Sequence, residues 1–269
     1  MTDHPGIAPS GEPVDFEGCL ARVNPTTSSL RQLAEQPDQT PIIMLNLLRF
    51  RPRGDSGIYA LYAREAAPEV EKVDSFVGYY GAVITDLDPA LGFDSSYDAV
   101  VMPVYHRRDS YLTLQRSSIY QLAIPYRSAG TSRRMLYVLR DADKPVAGTH
   151  SIAGMDASRE PLPVAAGEIT IIDAVRCAGP QGRQDFQRWI DGSGPLLSAV
   201  GASRLLCLQA EVPVLSEEYW DQCTIMHFPS LVAMTSLYQS EAWQKLQTTR
   251  AQALENSISV ATTGLPIPG

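Results

Sequence analysis

The feature that most constrains the fold of this chain is an internal repeat. Residues 42–50, IIMLNLLRF, align with residues 169–177, ITIIDAVRC, at an offset of 127. Residues 97–105, YDAVVMPVY, align with residues 220–228, WDQCTIMHF, at an offset of 123. A loop between the two motifs can absorb the change in offset. The repeat predicts that one structural unit occurs twice in the chain.

Each copy shows the same order of hydrophobic periodicities. The predicted elements are a strand at 41–50 or 168–177, a helix at 56–73 or 182–200, a strand at 76–84 or 203–210, a strand at 97–105 or 219–228, a helix at 109–123 or 231–247, and a strand at 133–140 or 256–263. This β-α-β-β-α-β order is that of a ferredoxin-like unit. Such a unit leaves one apolar sheet face uncovered, so we expect an α+β fold in which two fused units cover each other.

The repeat also predicts the domain boundaries. We expect an N-terminal extension at 1–40, a first ferredoxin-like domain at 41–140, a linker at 141–167, a second ferredoxin-like domain at 168–263 and a tail at 264–269. The linker is rich in Pro, Gly, Ala and Ser and has little periodicity. The two sheets are expected to enclose one partly apolar cavity that suits a small organic ligand.

Composition and charge limit the partners of the chain. Its 269 residues carry a formal net charge of −8, which is the wrong sign for binding a phosphate backbone. No apolar run is long enough for a membrane span, and the N-terminus lacks the basic and apolar regions of a secretory signal. We therefore expect a cytoplasmic protein with a small-molecule substrate and no nucleic-acid or membrane partner. A homodimer of the fused pair is an open alternative.

Several motifs that bind cofactors are missing from the sequence. It has no GxGxxG after a strand, no phosphate-binding loop, no GxSxG and no HExxH. The four histidines, His4, His106, His150 and His227, are dispersed and belong to no cluster with metal-ligand spacing. The sequence therefore predicts neither a cofactor nor a metal, with haem bound through His227 as an alternative.

Four segments resemble the family called domain of unknown function 1330. They are NLLRF at 46–50, the helix with Tyr59 and Tyr62, YDAVVMPVY at 97–105, and residues 120–127. The resemblance covers residues 41–140 and reaches 168–263 through the internal repeat. It implies the dimeric α+β barrel fold, here closed within one chain. Relatives of that fold include cofactor-free monooxygenases, cyclases, isomerases and tandem haem proteins, so the fold alone does not choose an activity.

Three polar residues in or near the apolar strands are the catalytic candidates. Asn46 could hydrogen-bond a substrate carbonyl or enolate, or it could be a buried amide that binds backbone. Asp173 takes the same position in the second copy, where a buried carboxylate needs an arginine partner or a raised pKa. His227, near a strand end, could be a general base or a satisfied core histidine. The catalytic hypothesis expects all three in one cavity.

Aromatic residues and a repeated arginine are the substrate-binding candidates. These are Tyr62, Tyr105, Tyr120, Trp189 and Arg176. Aromatic side chains at helical spacing could stack on a flat substrate, although most aromatics of this kind fill a core. Arg176 recurs in both copies, which indicates either a salt bridge or an anionic substrate.

The leading hypothesis is a cofactor-independent enzyme that transfers a proton on a cyclic or aromatic metabolite, as an isomerase, cyclase or oxygenase. Asn46 would stabilise an oxyanion or enolate, and His227 or Asp173 would move the proton. The first alternative is a non-catalytic protein that shelters a pathway intermediate. The second is a tandem haem protein.

Overall fold

The computed structural model describes residues 23–37, 39–216 and 218–267, so most of the predicted N-terminal extension lies outside the described residues. In chain order the elements are α1 (Thr27–Ala34), β1 (Ile42–Phe50), α2 (Gly57–Lys72), β2 (Ser75–Val83), a 3-10 helix (Pro89–Leu91), β3 (Ala99–Tyr105), α3 (Arg108–Arg116), α4 (Ser118–Gly130), β4 (Thr131–Asp141), α5 (Ile152–Ser158), β5 (Ile169–Cys177), α6 (Gly179–Ala199), β6 (Ser203–Leu215), β7 (Gln222–Phe228), α7 (Leu231–Gln239), α8 (Glu241–Ala253) and β8 (Leu254–Gly264). None of these described helices is both long and apolar enough to cross a membrane.

The eight strands form one closed antiparallel barrel in the order β1-β3-β2-β8-β5-β7-β6-β4. Strands β1–β4 make up the first half of the barrel and β5–β8 the second. The halves meet along two seams of unequal length. Strand β4 pairs with β6 through six residue pairs, from Leu136 to Asp141, whereas β2 pairs with β8 through three, from Gly81 to Val83.

The long seam explains the strand whose length the sequence underestimates most. Strand β6 continues to Leu215, beyond the predicted end at residue 210, and its residues from Leu208 to Leu215 pair with β4. These pairings join residues that are distant in the sequence. Local periodicity therefore carries no signal for the extension.

The second predicted helix of each copy is in fact two helices. Ser117 separates α3 from α4, and Ser240 separates α7 from α8. Each serine has an extended backbone, and its hydroxyl accepts a hydrogen bond from the backbone N–H of Tyr120 or Trp243. These bonds begin a new helix with an N-cap, which is the role that serine favours over a helix interior.

Side chains fill the middle of the barrel, so the predicted cavity enclosed by the two sheets does not occupy it. On β1, Ile43, Leu45 and Leu47 belong to a buried cluster to which all eight strands contribute. Alternation along the strand sends these residues inward, while their neighbours pack beneath the outer helices. A core of this kind is packed at the density of an organic crystal and leaves no room for a substrate.

The segment predicted to be a loose linker covers one end of the barrel. Ile152 and Met155 of α5, together with Leu162, join the cluster inside the barrel. The Asp141 carboxylate accepts hydrogen bonds from the backbone N–H groups of Ile152 and Ala153 at 2.8 and 3.2 Å, which anchors the start of α5 to the end of β4. Residues 141–167 therefore complete the core as well as connecting the halves.

Candidate functional site

A cavity of about 510 Å³ lies between the outer face of the second half and its helices; we call it the Asp173 cavity. Strands β5, β7 and β8 form one wall, α6–α8 form another, and residues 90–94 of the first half close a side. Its aromatic and polar lining includes Phe93, Asp94, Asp173, Trp189, Tyr238, Trp243, Gln244, Gln247, Arg250, Ser257 and Ser259. The lining combines flat apolar surfaces with several hydrogen-bonding groups, as small-molecule sites do.

A buried carboxylate is the central polar group of this cavity. Asp173 is 2% exposed, and its Oδ1 accepts hydrogen bonds from Arg250 Nη2 and Ser259 Oγ, each at 2.5 Å. The guanidinium supplies the counter-charge that a buried carboxylate needs. No group in the described residues donates to Oδ2. That oxygen is therefore available to accept a proton or a hydrogen bond.

Strand alternation places Asp173 under the helices. Ile171 and Val175 share its face and pack against α6, whereas Ile172 and Ala174 point into the barrel. Ser259 lies directly opposite Asp173 in the pairing of β5 with β8. The position of the hydroxyl is thus set by the strand register.

Two indole N–H groups of the cavity wall have no hydrogen-bond partner in the described residues. Trp189 Nε1 and Trp243 Nε1 are both buried and unsatisfied. Such groups are uncommon in native proteins, and an unseen water or ligand is a usual explanation. Burial and the charge of Asp173 raise the pKa of Tyr238, so its phenol stays protonated at neutral pH. The Tyr238 hydroxyl is therefore a hydrogen-bond donor of the cavity lining, whereas the two indole N–H groups lie in the packed wall behind it.

Asn46, the counterpart of Asp173, bonds only with protein groups. Its Nδ2 donates to the carbonyls of Met44 and Val101 at 2.8 and 3.1 Å. Its Oδ1 accepts from Nε and Nη2 of Arg134 at 2.9 and 2.5 Å. Both ends of the amide are occupied, so Asn46 ties strands together and offers nothing to a substrate.

Tyr62 and Tyr120 also lie in the first half, away from Asp173. Their hydroxyls are 2.7 Å apart, and Arg127 Nη1 donates to Tyr120 at 3.0 Å. Burial alone would raise the pKa of Tyr120, but Arg127 and the hydrogen bond with Tyr62 outweigh burial and lower it. Arg127 Nη2 also donates to Asn24 Oδ1 at 2.7 Å. The segment that precedes α1 thus lies against the cluster and closes it.

The remaining candidates are also scattered. Tyr105 packs edge-on against Tyr111, with ring centroids 5.3 Å apart, in the first-half core. Arg176 forms a surface ion pair with Glu255 at 2.9 Å. Of the eight predicted site residues, Asp173 and Trp189 are the two that line the Asp173 cavity. The expected convergence of Asn46, Asp173 and His227 is wrong, because the strands direct these residues to different layers.

His227 lies near the end of β7 and bonds with a carboxylate. Its Nε2 is 2.9 Å from Glu168 Oε2, and it shares a strand phase with Cys223 and Ile225 of the barrel interior. It does not line the Asp173 cavity. The residues of this cavity therefore do not provide the histidine that the haem alternative requires.

The Glu168 carboxylate accepts a hydrogen bond from the backbone N–H of Ala165 at 2.7 Å. This bond and the bond with His227 lower the pKa of Glu168, although burial acts in the opposite direction. Because the pKa of Glu168 is lower in the folded state than the ordinary value of 4.5, its ionised carboxylate stabilises the fold at pH values above 4.5. This stabilisation is lost as the pH falls through the folded-state pKa. We expect Glu168→Gln to lower the melting temperature at pH 7, with a smaller difference in acid. Thermal unfolding across pH tests this, with the exposed Glu71→Gln as control. A difference independent of pH would contradict the prediction.

Sequence reasoning missed several residues of the Asp173 cavity as site candidates. Arg250 recurs as Arg127, and Trp243 recurs as Tyr120, so the repeat does mark both positions. That recurrence is equally typical of structural residues. Ser259 and residues 90–94 have no such signal, because long-range strand pairing and chain crossing bring them to the site.

Comparisons with known proteins find similarity in structure. No family model matches the chain, and no curated protein matches it, so the domain of unknown function 1330 remains a prediction. An anthrone oxidase-like protein is 10% identical, with a TM-score of 0.50, over 86% of this chain and 94% of that one. A proposed monooxygenase of Fusobacterium nucleatum subsp. nucleatum is 8% identical, with the same TM-score and coverage.

A chlorite dismutase variant of Candidatus Nitrospira defluvii is 10% identical, with a TM-score of 0.52, over 88% of this chain and 95% of that one. At these identities the likeness concerns the fold alone. The chain has a mixed α+β fold with an eight-stranded antiparallel barrel, and this fold is similar to that of these three structures.

Proposed function

We propose that the chain is a small-molecule enzyme that transfers a proton on a cyclic or aromatic substrate in the Asp173 cavity, without a cofactor. The observation that carries the proposal is the arrangement of Asp173. Arg250 and Ser259 hold one oxygen of its buried carboxylate, and the other oxygen has no donor in the described residues. A carboxylate that is fixed in this way is suited to general acid-base catalysis.

The reaction step follows from the groups in the wall. A flat ring would lie against Phe93, and its carbonyl oxygen would accept a hydrogen bond from the Tyr238 hydroxyl. Asp173 Oδ2 would take a proton from the carbon next to the carbonyl, and the C–H electron pair would move to the oxygen as an enolate. Donors that are already in place stabilise the developing charge. In a substrate whose double bond is conjugated with the enolate, return of the proton to the far carbon of the dienolate completes an isomerisation. Without such a bond the proton returns to the same carbon.

We also propose that the chain is an internal duplication of two ferredoxin-like domains, at 41–140 and 168–263, joined by residues 141–167. The sequence repeat supports this proposal. So does the strand order, because β4-β1-β3-β2 in the first half corresponds to β8-β5-β7-β6 in the second. The units differ at the position of Asp173: both ends of the Asn46 amide are bonded to protein groups, whereas Asp173 lines a cavity, so the second unit would carry the activity.

Hydrogen-deuterium exchange at carbon tests the enzymatic proposal. The probes are cyclic aryl ketones, led by 1-tetralone, and NMR in D₂O follows loss of the proton beside the carbonyl. We expect the protein to accelerate exchange above the rate in buffer, and Asp173→Asn to slow the catalysed rate by about a hundredfold. Glu255→Gln, which removes a surface carboxylate of the same half, is the matched control.

The outcomes of this experiment separate the alternatives. Failure of every ketone to exchange faster than in buffer, or exchange by Asp173→Asn at the wild-type rate, would contradict the proposal. Saturable quenching of tryptophan fluorescence by a ketone that does not exchange would identify a non-catalytic binding protein. Circular dichroism of Asp173→Asn establishes that a loss of activity is not a loss of folding.

A further inference from the structure

A second cavity, of about 1050 Å³, opens at the end of the barrel opposite α5; we call it the barrel-mouth cavity. The end of β1 and the starts of β4 and β8 surround it. Its charged lining residues are Arg49, Arg51, Arg53, Arg133, Arg134, Asp94 and Glu218. Arg53 pairs with Asp98 at 3.4 Å, and Arg134 bonds with Asn46 on the other face of the sheet. Arg49, Arg51 and Arg133 remain against the two carboxylates, so the site is electropositive, although the whole chain carries a net charge of −8. The cavity therefore attracts anions.

Two of these arginines face each other across neighbouring strands. Arg49 of β1 lies directly opposite Arg133 of β4. Their side chains share the inward faces of Leu47 and Met135. Like charges opposite each other destabilise a sheet. Neither guanidinium has an ion-pair partner among the described residues. A bound anion between the two guanidinium groups would therefore reduce their electrostatic repulsion.

The next residue of β4, Arg134, sends its side chain to the opposite face of the sheet. Arg134 is 8% exposed, and its hydrogen bonds go to Asn46 Oδ1 and the carbonyl of Val23. Both acceptors are neutral. Arg134 therefore belongs to the layer under the outer helices and does not contribute its charge to the mouth.

The floor of the barrel-mouth cavity is apolar and aromatic. Tyr97, Met135, Trp220 and Ile258 form it. The guanidinium of Arg133 lies 5.2 Å from the ring centre of Tyr97. Trp220 Nε1 is buried and has no hydrogen-bond partner in the described residues. A cationic rim above an aromatic floor fits a ligand with an anionic group and a flat apolar body.

We infer that the barrel mouth is a binding site for an aromatic organic anion, such as an aryl carboxylate or sulfonate. Arg49 and Arg133 bind the anionic group, and the ring lies against Tyr97 and Trp220. The site differs from the Asp173 cavity, although the two adjoin through the shared lining residues Asp94, Ser257 and Ile258. The inference does not depend on proton transfer at Asp173.

A pair of fluorescent probes tests this site. The anionic probe is 1-anilinonaphthalene-8-sulfonate, and N-phenyl-1-naphthylamine has the same rings without the sulfonate. Fluorescence titration of the whole chain is expected to give an affinity at least about tenfold higher for the anion. The double variant Arg49→Gln, Arg133→Gln should lose that preference and bind the neutral amine as before. High salt should weaken the anionic probe alone.

The control is the double variant Arg64→Gln, Arg188→Gln, which removes the same charge from exposed positions on α2 and α6. Equal losses in the two double variants, or no loss in either, would overturn the inference. A loss caused by Trp189→Phe but not by the mouth variant would place the probe in the Asp173 cavity. That result would also overturn the inference and would leave the proposed function intact. If the double variant does not fold, Arg49→Gln alone is expected to weaken the anion selectively.

Discussion

Arg250→Ala is expected to lower the free energy of unfolding by about 3 kcal/mol, because it leaves the Asp173 carboxylate buried without its counter-charge. The two side chains of this ion pair are 13% and 2% exposed. Arg176→Ala is the matched control, since it breaks an ion pair of the same type in the same half whose side chains are 46% and 48% exposed. Its cost should stay below about 1 kcal/mol. Urea unfolding at neutral pH measures both.

The same ion pair offers a rescue experiment. Replacing both partners by apolar residues, as in Asp173→Leu with Arg250→Met, removes the buried charges together. This double variant should be more stable than Arg250→Ala, although it loses the carboxylate to which we assign proton transfer. If Arg250→Ala costs no more than Arg176→Ala, water in the cavity already stabilises the carboxylate, and the explanation based on the ion pair is wrong.

Trp243→Ala is expected to cost about 3 to 5 kcal/mol of unfolding free energy, the usual range for removing a buried tryptophan. Trp243 is completely buried, and its ring centre lies 6.0 Å from Trp189 and 5.1 Å from Tyr238. Removal of the ring takes away the central member of this aromatic wall. Urea unfolding measures the loss, and circular dichroism establishes that the secondary structure remains.

Trp243→Phe is the informative partner of that variant. It keeps an aromatic ring and removes an indole N–H that has no partner in the described residues. Removal of this unsatisfied donor offsets part of the free energy that is lost with the packing contacts. We expect a cost below about 1.5 kcal/mol. A cost as large as that of Trp243→Ala would show that the N–H has a partner, such as a bound water.

The secondary structure was predictable because its causes are local. Alternating or continuous apolar runs identify the eight strands, and the internal repeat adds a second sample of each pattern. The sequence analysis also identifies Asp173 as a carboxylate that needs an arginine partner. That this partner is Arg250 depends on how α8 crosses β5, which is tertiary information.

The faces of the strands were not predictable in the same way. Alternation separates Asn46 from Leu45 and Leu47, but it does not say which set faces the helices. In this fold the helices cover the outside, so Asn46 and Asp173 lie in outer layers and the barrel interior is apolar. The composition of residues 141–167, rich in Pro, Gly, Ala and Ser, likewise does not indicate that Ile152, Met155 and Leu162 are buried. Their burial depends on the barrel that they cover.

Closure of the barrel within one chain has a consequence for self-association. Each of the eight described strands has a neighbour on both sides, so most of their backbone N–H and C=O groups bond within the same molecule. Free strand edges are the usual templates for aggregation and for domain swapping. Among the described strands, a second copy meets an incompletely paired edge at the short seam between β2 and β8. Elsewhere, association between copies would use side chains on helices and loops, where individual residues rather than backbone set the specificity.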